Sequence, residues 1–334
     1  MAQLRNARIV SSGISIPEKK VTNADLEKII DTSDEWIRKR SGIKERYYAS
    51  HEESTSDLGA AAAMNALQEA KLKPKDIDLI LTATLSPDYN FPGIGVLVQR
   101  KLGLDTTPAM DIRNQCSGFI YALATGNAMI ASGQYDRIMI VCSEIHSKIL
   151  NMSTAGRDVA VLFGDGAGAV ILEATEASEL GIISTHLYSQ GEYAEKLWLE
   201  RPGTAGESFI SEKDIQDGLH FPRMEGRTVF KHATTRLSEC VRVAINKNNI
   251  NSADVDHFLF HQANIRINES VCKDLGLNKK KVYENISRYG NCSAASLPIL
   301  IHENRKNGNI KAGDLALLAA FGAGFTWGSC LLRW

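Results

Sequence analysis

The chain has 334 residues, 44% hydrophobic and 23% charged, so it is long enough to bury one large core or two smaller ones. Lys and Arg number 38 and Asp and Glu number 39, a net charge of −1 that gives no support for general nucleic-acid binding. Residues 1–17 lack the features of a signal peptide, and no apolar run could span a bilayer, so we expect no membrane association.

The predicted elements alternate between strands and helices, which is typical of an α/β protein. Strands are predicted at 7–16, 77–84, 109–112, 137–143, 159–162 and 169–172. Helices are predicted to begin within 21–25 and 31–37, and to span 56–70, 93–102, 117–131 and 229–248. The polar, glycine-punctuated sequence from Glu173 onwards predicts a loop-rich excursion, at about 186–223, that could cover the mouth of a site.

A glycine-rich run, Gly164-Asp-Gly-Ala-Gly168, resembles a phosphate-binding loop at first sight. It lacks both the Gly-Lys-Ser/Thr ending and the GxGxxG spacing, and it follows an aromatic residue. We therefore predict a tight, hairpin-like turn between the strands at 159–162 and 169–172.

The second half of the chain repeats the first. KDIDLILTAT around Asp76 resembles ADVDHFLFHQ around Asp254, and GQYDRIMIV around Asp136 resembles KAGDLALLA around Asp314. Both pairs differ by 178 residues (254 − 76 and 314 − 136), too long a period for a solenoid. The repeat predicts two duplicated α/β halves, residues 1–175 and 176–334.

Cys116 is a candidate nucleophile, because it lies at a sharp turn between a predicted strand and a predicted helix. Unpaired N–H groups and the helix dipole favour the thiolate there, so we expect a pKa below the roughly 8.5 of a free thiol. The alternative is a small buried apolar residue. The six cysteines form no CxxC pair and no metal-ligand spacing, which favours reduced thiols in a cytoplasm and no bound metal.

His261, in FHQANIRI, and Asn291, in YGNCSAAS, fall near strand or turn ends of the second half that correspond to the region around Cys116. A cysteine with a histidine and an amide suits acyl transfer. The order Cys, His, Asn also matches papain-like proteases, although their N-terminal cysteine and disulfides do not fit this chain. Alone, His261 could be a core histidine and Asn291 a turn residue.

Six motifs together resemble the β-ketoacyl-acyl-carrier-protein synthase III family of the thiolase superfamily. They are NQCSGFIYAL, GRDVAVLFGDGAGAV, MEGRTVFKHA, FHQANIRI, RYGNCSAASLP and AAFGAGFTWGS. The matches occur in order over nearly the whole chain. The resemblance implies a thiolase-like, five-layered αβαβα fold, an acyltransferase of fatty-acid biosynthesis and a homodimer.

The resemblance also implies a reaction cycle. Cys116 takes the acyl group from acyl-CoA, and malonyl on an acyl carrier protein then enters. His261 and Asn291 donate hydrogen bonds to the malonyl thioester while CO2 leaves, and the carbanion attacks acyl-Cys116 to give a 3-oxoacyl product. The backbone N–H groups of Cys116 and Ala323 are expected to form the oxyanion hole. No cofactor is expected besides these substrates.

Further positions match the family's binding residues. The expected CoA and substrate contacts are Thr32, Trp36, Arg40, Phe91, Arg157, Phe230, Ala263, Asn264 and Phe321. Phe91 is expected to reach the acyl pocket of the partner subunit. The expected carrier-protein contacts are Lys231, Arg266 and Lys273. A helix core residue is the alternative for Trp36, and a solvated face is the alternative for the basic residues.

Some features depart from the common pattern of the family. Asn114 and Gln115 precede the nucleophile, and Arg227 stands where an asparagine is common. These features resemble a side branch primed by medium-chain or aromatic acyl-CoA in specialised metabolism, which we keep as an alternative to fatty-acid initiation. A non-catalytic binding paralogue is a further alternative, against which the complete Cys, His and Asn set argues. A degradative thiolase would carry a second cysteine where this chain has Phe321-Gly-Ala-Gly324.

Overall fold

A computed structural model describes residues 5–177 and 179–334. The strands are β1 Asn6–Ser15, β2 Lys19–Thr22, β3 Glu45–Tyr48, β4 Leu79–Ala83, β5 Ala109–Ile112, β6 Arg137–Glu144, β7 Gly166–Thr175, β8 Gly181–Ser189, β9 Leu197–Trp198, β10 Arg223–Met224, β11 His257–Phe260, β12 Leu315–Gly322 and β13 Thr326–Arg333. The helices are α1 Asn23–Glu27, α2 Asp34–Ser41, α3 Thr55–Ala70, α4 Ile94–Lys101, α5 Gly118–Ala131, α6 Arg157–Ala160, α7 Glu212–Gln216, α8 Gly226–Lys247, α9 Ile265–Leu275, α10 Ile286–Tyr289 and α11 Ser296–Lys306.

Two sheets carry the architecture. The first has the strand order β1-β7-β6-β4-β5, and the second has the order β11-β12-β13-β8. In both, a parallel pair lies beside antiparallel strands: β4 with β6 in the first sheet and β11 with β12 in the second. All five residues of β4 are buried, as expected for a strand covered on both faces.

The internal repeat predicted from the sequence is present in the fold. Strand β4 begins at Leu79, and β11 begins 178 residues later at His257. Helix α5 begins at Gly118, and α11 begins 178 residues later at Ser296. The short 3₁₀ turns before these helices, Gln115–Ser117 and Ser293–Ala295, have the same offset. The two halves are therefore built on one plan down to the turn that carries Cys116.

Helices α5 and α11 form the middle of five layers. Each contacts both sheets, while α3 covers the outer face of the first sheet and α8 covers that of the second. Phe119, Ile120 and Leu123 of α5 are fully buried in a core that also holds Leu297 and Ile301 of α11. Burying one such side chain stabilises the fold by about 1.5–3 kcal/mol. The fold class predicted from the sequence is confirmed.

Two local predictions were wrong. Residues 159–162 are not a strand, because α6 ends at Ala160 and a turn follows; a short buried apolar run does not distinguish strand from helix. Residues 164–168 are not a hairpin turn either, since Gly166 already begins β7. Gly164 instead allows a close approach: a Cβ there would lie 2.2 Å from the carbonyl oxygen of Tyr289.

The predicted excursion also starts later than expected. Residues 186–189 belong to β8 and pair with β13, so the irregular segment begins at Gln190. It contains α7 and the small β9–β10 ribbon, and Leu197 and Met224 of that ribbon line the cavity described below. Among the described residues, no helix is both long and apolar enough to cross a membrane.

Candidate active site

A cavity of about 1060 Å³ opens where the two halves meet. It brings together the three residues predicted for catalysis, Cys116, His261 and Asn291, which are respectively 6%, 3% and 5% exposed. Its walls include six of the predicted binding residues and one predicted docking residue: Trp36, Arg40, Phe230, Ala263, Asn264, Phe321 and Arg266.

Cys116 is held by a tight turn against the C-terminal half. Gln115, just before it, has a left-handed φ of +43°, which is strained for a non-glycine residue. Gly322, at the end of β12, packs directly on the nucleophile: a Cβ there would lie 2.9 Å from the Cβ of Cys116 and 3.0 Å from its backbone nitrogen. Only glycine fits this contact, which places the Phe321–Gly324 turn beside the thiol.

The thiol of Cys116 is not acidified, contrary to the expectation from its helix terminus. Burial raises its pKa to about 12, the Ser293 hydroxyl offsets part of this, and the negative charge of Glu144 adds to the rise. A helix dipole contributes about 0.3–1 kcal/mol, less than one pKa unit, whereas burial shifts a pKa by up to about 3–5 units. Glu144 is itself fully buried and accepts hydrogen bonds from Thr84 and Ser86.

Alkylation of Cys116 by iodoacetamide is therefore expected to accelerate about tenfold per pH unit from pH 7 to 9, without levelling off. Peptide mass spectrometry on Cys116 measures this rate, with the urea-unfolded chain as the control, whose rate should level off near the ordinary thiol pKa. A plateau below pH 9 in the folded protein would contradict the raised pKa.

The same raised pKa makes stability depend on pH. Because the Cys116 thiol of the unfolded chain loses its proton at a lower pH than that of the folded chain, the free energy of unfolding falls as the pH rises above about 9.

His261 follows β11 and is neutral at physiological pH. Its backbone N–H donates to the carbonyl of Ala319 at 2.9 Å. Burial, followed by the influence of His146, lowers the pKa of its imidazole to about 3. Nδ1 lies 2.6 Å from the Ser296 hydroxyl, while Nε2 is buried with no partner among the described residues.

Asn291 is clamped by the segment that precedes β7. Its N–H donates to Leu162 at 2.8 Å, and its carbonyl accepts from Gly164 at 3.2 Å. Its side-chain Oδ1 accepts from the backbone N–H of Ser293 at 2.8 Å. Because the oxygen is occupied, the Nδ2 group is the part of this amide left to donate into the cavity.

The entrance of the cavity is basic although the chain as a whole is nearly neutral. We call it the mouth, and define it by four exposed residues that line it: Lys39, Arg40, Arg227 and Arg266. The guanidinium of Arg40 lies 4.5 Å from the centre of the Trp36 ring, and that of Arg266 lies 5.5 Å from the Phe230 ring. Positive charge beside aromatic faces suits a ligand with phosphate groups and a base.

Several predicted residues lie outside the cavity walls. The guanidinium of Arg157 lies 4.8 Å from the centre of the Trp36 ring and donates to the backbone carbonyl of Asp31. Thr32 is the next residue in the chain after Asp31. Ala323 follows Gly322, and so lies next to the nucleophile turn. Lys231 and Lys273 are exposed, Lys273 about 10 Å along α9 from Arg266. Phe91 is 87% exposed and does not line the cavity of its own chain.

Asn264 has a structural task as well as a place in the wall. Its Oδ1 accepts from Arg266 N–H at 3.0 Å, capping α9, and its Nδ2 donates to the carbonyl of Arg40 at 2.9 Å. It therefore joins the start of α9 to the end of α2. Both side-chain groups are occupied in this state.

Sequence reasoning missed two serines of the 293–296 segment. Ser293 lies beside Cys116 and, like Gln115 at an offset of 178, has a left-handed φ, here +46°. Ser296 contacts His261 across 35 residues of sequence. The repeat register was the available signal, because it aligns Ser293 with Gln115 and Ser296 with Gly118.

Two family models match this chain. Residues 110–191 match the family model for 3-oxoacyl-[acyl-carrier-protein] synthase III, and residues 245–334 match the model for its C-terminal part. The chain is 44% identical over 323 residues to the beta-ketoacyl-[acyl-carrier-protein] synthase III of Sulfurovum sp. (strain NBC37-1), covering 96% of this chain and 94% of that protein.

Solved structures agree with this. The crystal structure of the 3-oxoacyl-[acyl-carrier-protein] synthase III of Aquifex aeolicus VF5 has a TM-score of 0.90 and 40% identity, covering 98% of this chain and all of that one. The priming beta-ketosynthase of the R1128 polyketide pathway also has a TM-score of 0.90, at 27% identity over all of this chain and 97% of its own. The chain belongs to the 3-oxoacyl-[acyl-carrier-protein] synthase III family, and is an acyltransferase, a condensing enzyme that initiates fatty-acid synthesis.

Proposed function

We propose that the chain condenses an acyl-CoA primer with malonyl-acyl carrier protein through an acyl group carried on Cys116. The observation that carries the proposal is one cavity holding a thiol, a neutral imidazole and an amide whose oxygen is occupied, so that its N–H groups are left to donate. A nucleophile that forms a covalent intermediate, faced by two uncharged donors, suits carbon–carbon bond formation between two thioesters.

In the first half-reaction, the sulfur of Cys116 attacks the thioester carbonyl of acyl-CoA. The C–S bond to CoA breaks, and the thiol proton leaves with the CoA sulfur, so the exchange of one thioester for another is balanced. The backbone N–H groups of Cys116 and Ala323 are the proposed donors to the oxyanion. The close packing of Gly322 on Cys116 supports this role, since it brings that turn to the nucleophile.

In the second half-reaction, malonyl-acyl carrier protein occupies the vacated cavity. His261 Nε2–H and Asn291 Nδ2–H donate to its thioester carbonyl oxygen, where negative charge gathers as CO2 leaves. The resulting carbanion attacks the carbonyl of acyl-Cys116, and the C–S bond to Cys116 breaks to release the 3-oxoacyl-acyl carrier protein. The Cys116 thiolate left behind takes a proton from solvent, which regenerates the thiol. The lowered pKa of His261 supports this role, because the imidazole stays neutral and donates as an uncharged N–H group. The developing oxyanion is then the only charged partner in this hydrogen bond.

The mouth supports both substrates. The aromatic face of Trp36, flanked by Arg40 and Arg157, suits the adenine and phosphates of CoA. Its basic residues, together with nearby Lys231, suit the phosphate of a carrier-protein arm and an acidic carrier surface. Lys273 is the outlying member of the proposed docking set. Six buried, free cysteines support a reducing, cytoplasmic location.

A homodimer completes the proposal. Strand β5 is the open edge of the first sheet, and Met110 on it is 43% exposed. Tyr89, Phe91 and Val96 are exposed large hydrophobic residues from the neighbouring loop and α4. An open strand edge with apolar neighbours favours pairing with a second copy. Phe91 would then close the acyl pocket of the partner subunit.

The acyl donor is tested by incubating the enzyme with acyl-CoAs of two to twelve carbons and recording the mass gain on Cys116. We expect acetyl-CoA and other short primers to label Cys116 fastest, because the relatives at 40–44% identity are synthase III enzymes. Labelling by medium-chain primers alone would favour the specialised-metabolism alternative. Absence of labelling by every acyl-CoA would contradict the assignment of Cys116 as the acyl carrier.

The same panel with Phe91→Ala tests the dimeric pocket. We expect this variant to accept longer primers than the wild type, because removing a ring at the pocket end leaves more room. Val96→Ala, on the same surface, is the matched control and should keep the wild-type profile. An unchanged chain-length profile in Phe91→Ala would contradict the role of Phe91.

A further inference from the structure

Two contacts of the Ser296 hydroxyl constrain the proton on His261. Oγ lies 2.6 Å from His261 Nδ1, and it accepts from the backbone N–H of Gln262 at 3.3 Å. Ser296 is 3% exposed and begins α11, whose helical hydrogen bonds hold it in place. The other ring nitrogen, Nε2, is buried without a partner among the described residues, in a ring that lines the cavity.

Counting protons distinguishes the two neutral tautomers. The N–H of Gln262 can only donate, so it uses an acceptor position of Ser296 Oγ. If Nδ1 carried the imidazole proton, Oγ would accept from both Nδ1–H and the Gln262 N–H, and neither of these two groups could accept the hydroxyl proton. If Ser296 donates to Nδ1, both contacts are satisfied and the imidazole proton lies on Nε2.

We propose that Ser296 is a positioning residue that holds His261 in the Nε2–H tautomer, so that the ring presents a donor to the cavity. The inference deepens the proposed function and rests on it. In this tautomer His261 can donate to the malonyl thioester, but it has no free lone pair with which to take the proton of Cys116. Ser296 thereby assigns His261 to the condensation step alone.

The other half of the repeat shows the same contact without the chemistry. Subtracting 178 from His261 and Ser296 gives Ala83 and Gly118. A Cβ at Gly118 would lie 2.9 Å from the Cβ of Ala83, so these two positions also meet in the fold. The second half therefore carries a hydroxyl–imidazole pair at a junction that the first half fills with backbone and a methyl group.

The test uses Ser296→Ala and Ser296→Thr in the full-length enzyme, with acylation of Cys116 and condensation measured separately. We expect Ser296→Ala to lower the condensation kcat about 10- to 100-fold, because a share of the rings then presents a lone pair to the oxyanion. Acylation by acyl-CoA should stay within about twofold of the wild type. Ser296→Thr, which keeps the hydroxyl, should recover most of the lost condensation rate.

Nitrogen-15 NMR of histidine-labelled, unliganded enzyme reads the tautomer directly, with His261→Ala identifying the resonances. We expect protonated Nε2 and unprotonated Nδ1 in the wild type, and a mixture in Ser296→Ala. Protonated Nδ1 in the wild type would overturn the proposal, as would wild-type condensation in Ser296→Ala. The NMR result stands apart from activity: absence of acylation in every variant would reject the proposed function, while the spectrum would still decide the tautomer.

Discussion

Cys116→Ala is expected to lose condensation by at least about 10⁴-fold, and to take up no acyl group from acyl-CoA. Alanine has no sulfur to form the thioester, so the reaction stops before the first half is complete. The buried site should tolerate the change, because the methyl group fits the space of the thiol beside Gly322. Product formation and intact-protein mass after exposure to acyl-CoA measure the two losses.

Cys330→Ala is the matched control. Cys330 is also fully buried, but it lies in β13 and does not line the cavity. It should take up one acyl group and retain activity. Persistent labelling in Cys116→Ala, or lost labelling in Cys330→Ala, would place the nucleophile elsewhere.

His261→Ala and Asn291→Ala are expected to separate the two half-reactions. Each removes one donor to the malonyl thioester, which costs about 10²–10³ in the rate of the step that uses it. Acylation of Cys116 should stay within a few-fold of the wild type, because neither residue is assigned to that step. Stopped-flow or quenched acylation, and release of CO2 from malonyl carrier protein, follow the halves independently.

His186→Gln is a suitable control for these variants, because His186 lies in β8 and does not line the cavity. It should leave both half-reactions unchanged. A large loss of acylation in His261→Ala would mean that the imidazole also takes part in the acylation of Cys116. That result would contradict the proposal that the Ser296 contact restricts His261 to the condensation step.

Much of this arrangement could be predicted from the sequence, because the chain is duplicated. The offset of 178 aligns β4 with β11 and β6 with β12. It therefore predicts that Cys116, His261 and Asn291 lie together where the two halves meet, as they do in the cavity. Motifs at strand ends are local in sequence, so their residue types and order are visible without coordinates.

The rest depends on contacts between distant segments. The pKa of Cys116 is set by burial under the second half and by Ser293 and Glu144, none of which its own helix terminus reveals. The contact between His261 and Ser296 joins residues 35 apart. The apolar composition of residues 159–162 suits both a buried strand and a buried helix end, so it cannot identify the end of α6 that the structure has there.

A single-turnover experiment can show whether the acyl group passes through Cys116. The enzyme is acylated with isotopically labelled acyl-CoA, freed of all CoA species by gel filtration, and mixed with malonyl-acyl carrier protein in a single turnover. We predict that the label leaves Cys116 and appears in the 3-oxoacyl product at a rate no slower than kcat. If the label stays on Cys116, or product forms only after acyl-CoA is added back, the covalent route through Cys116 is contradicted.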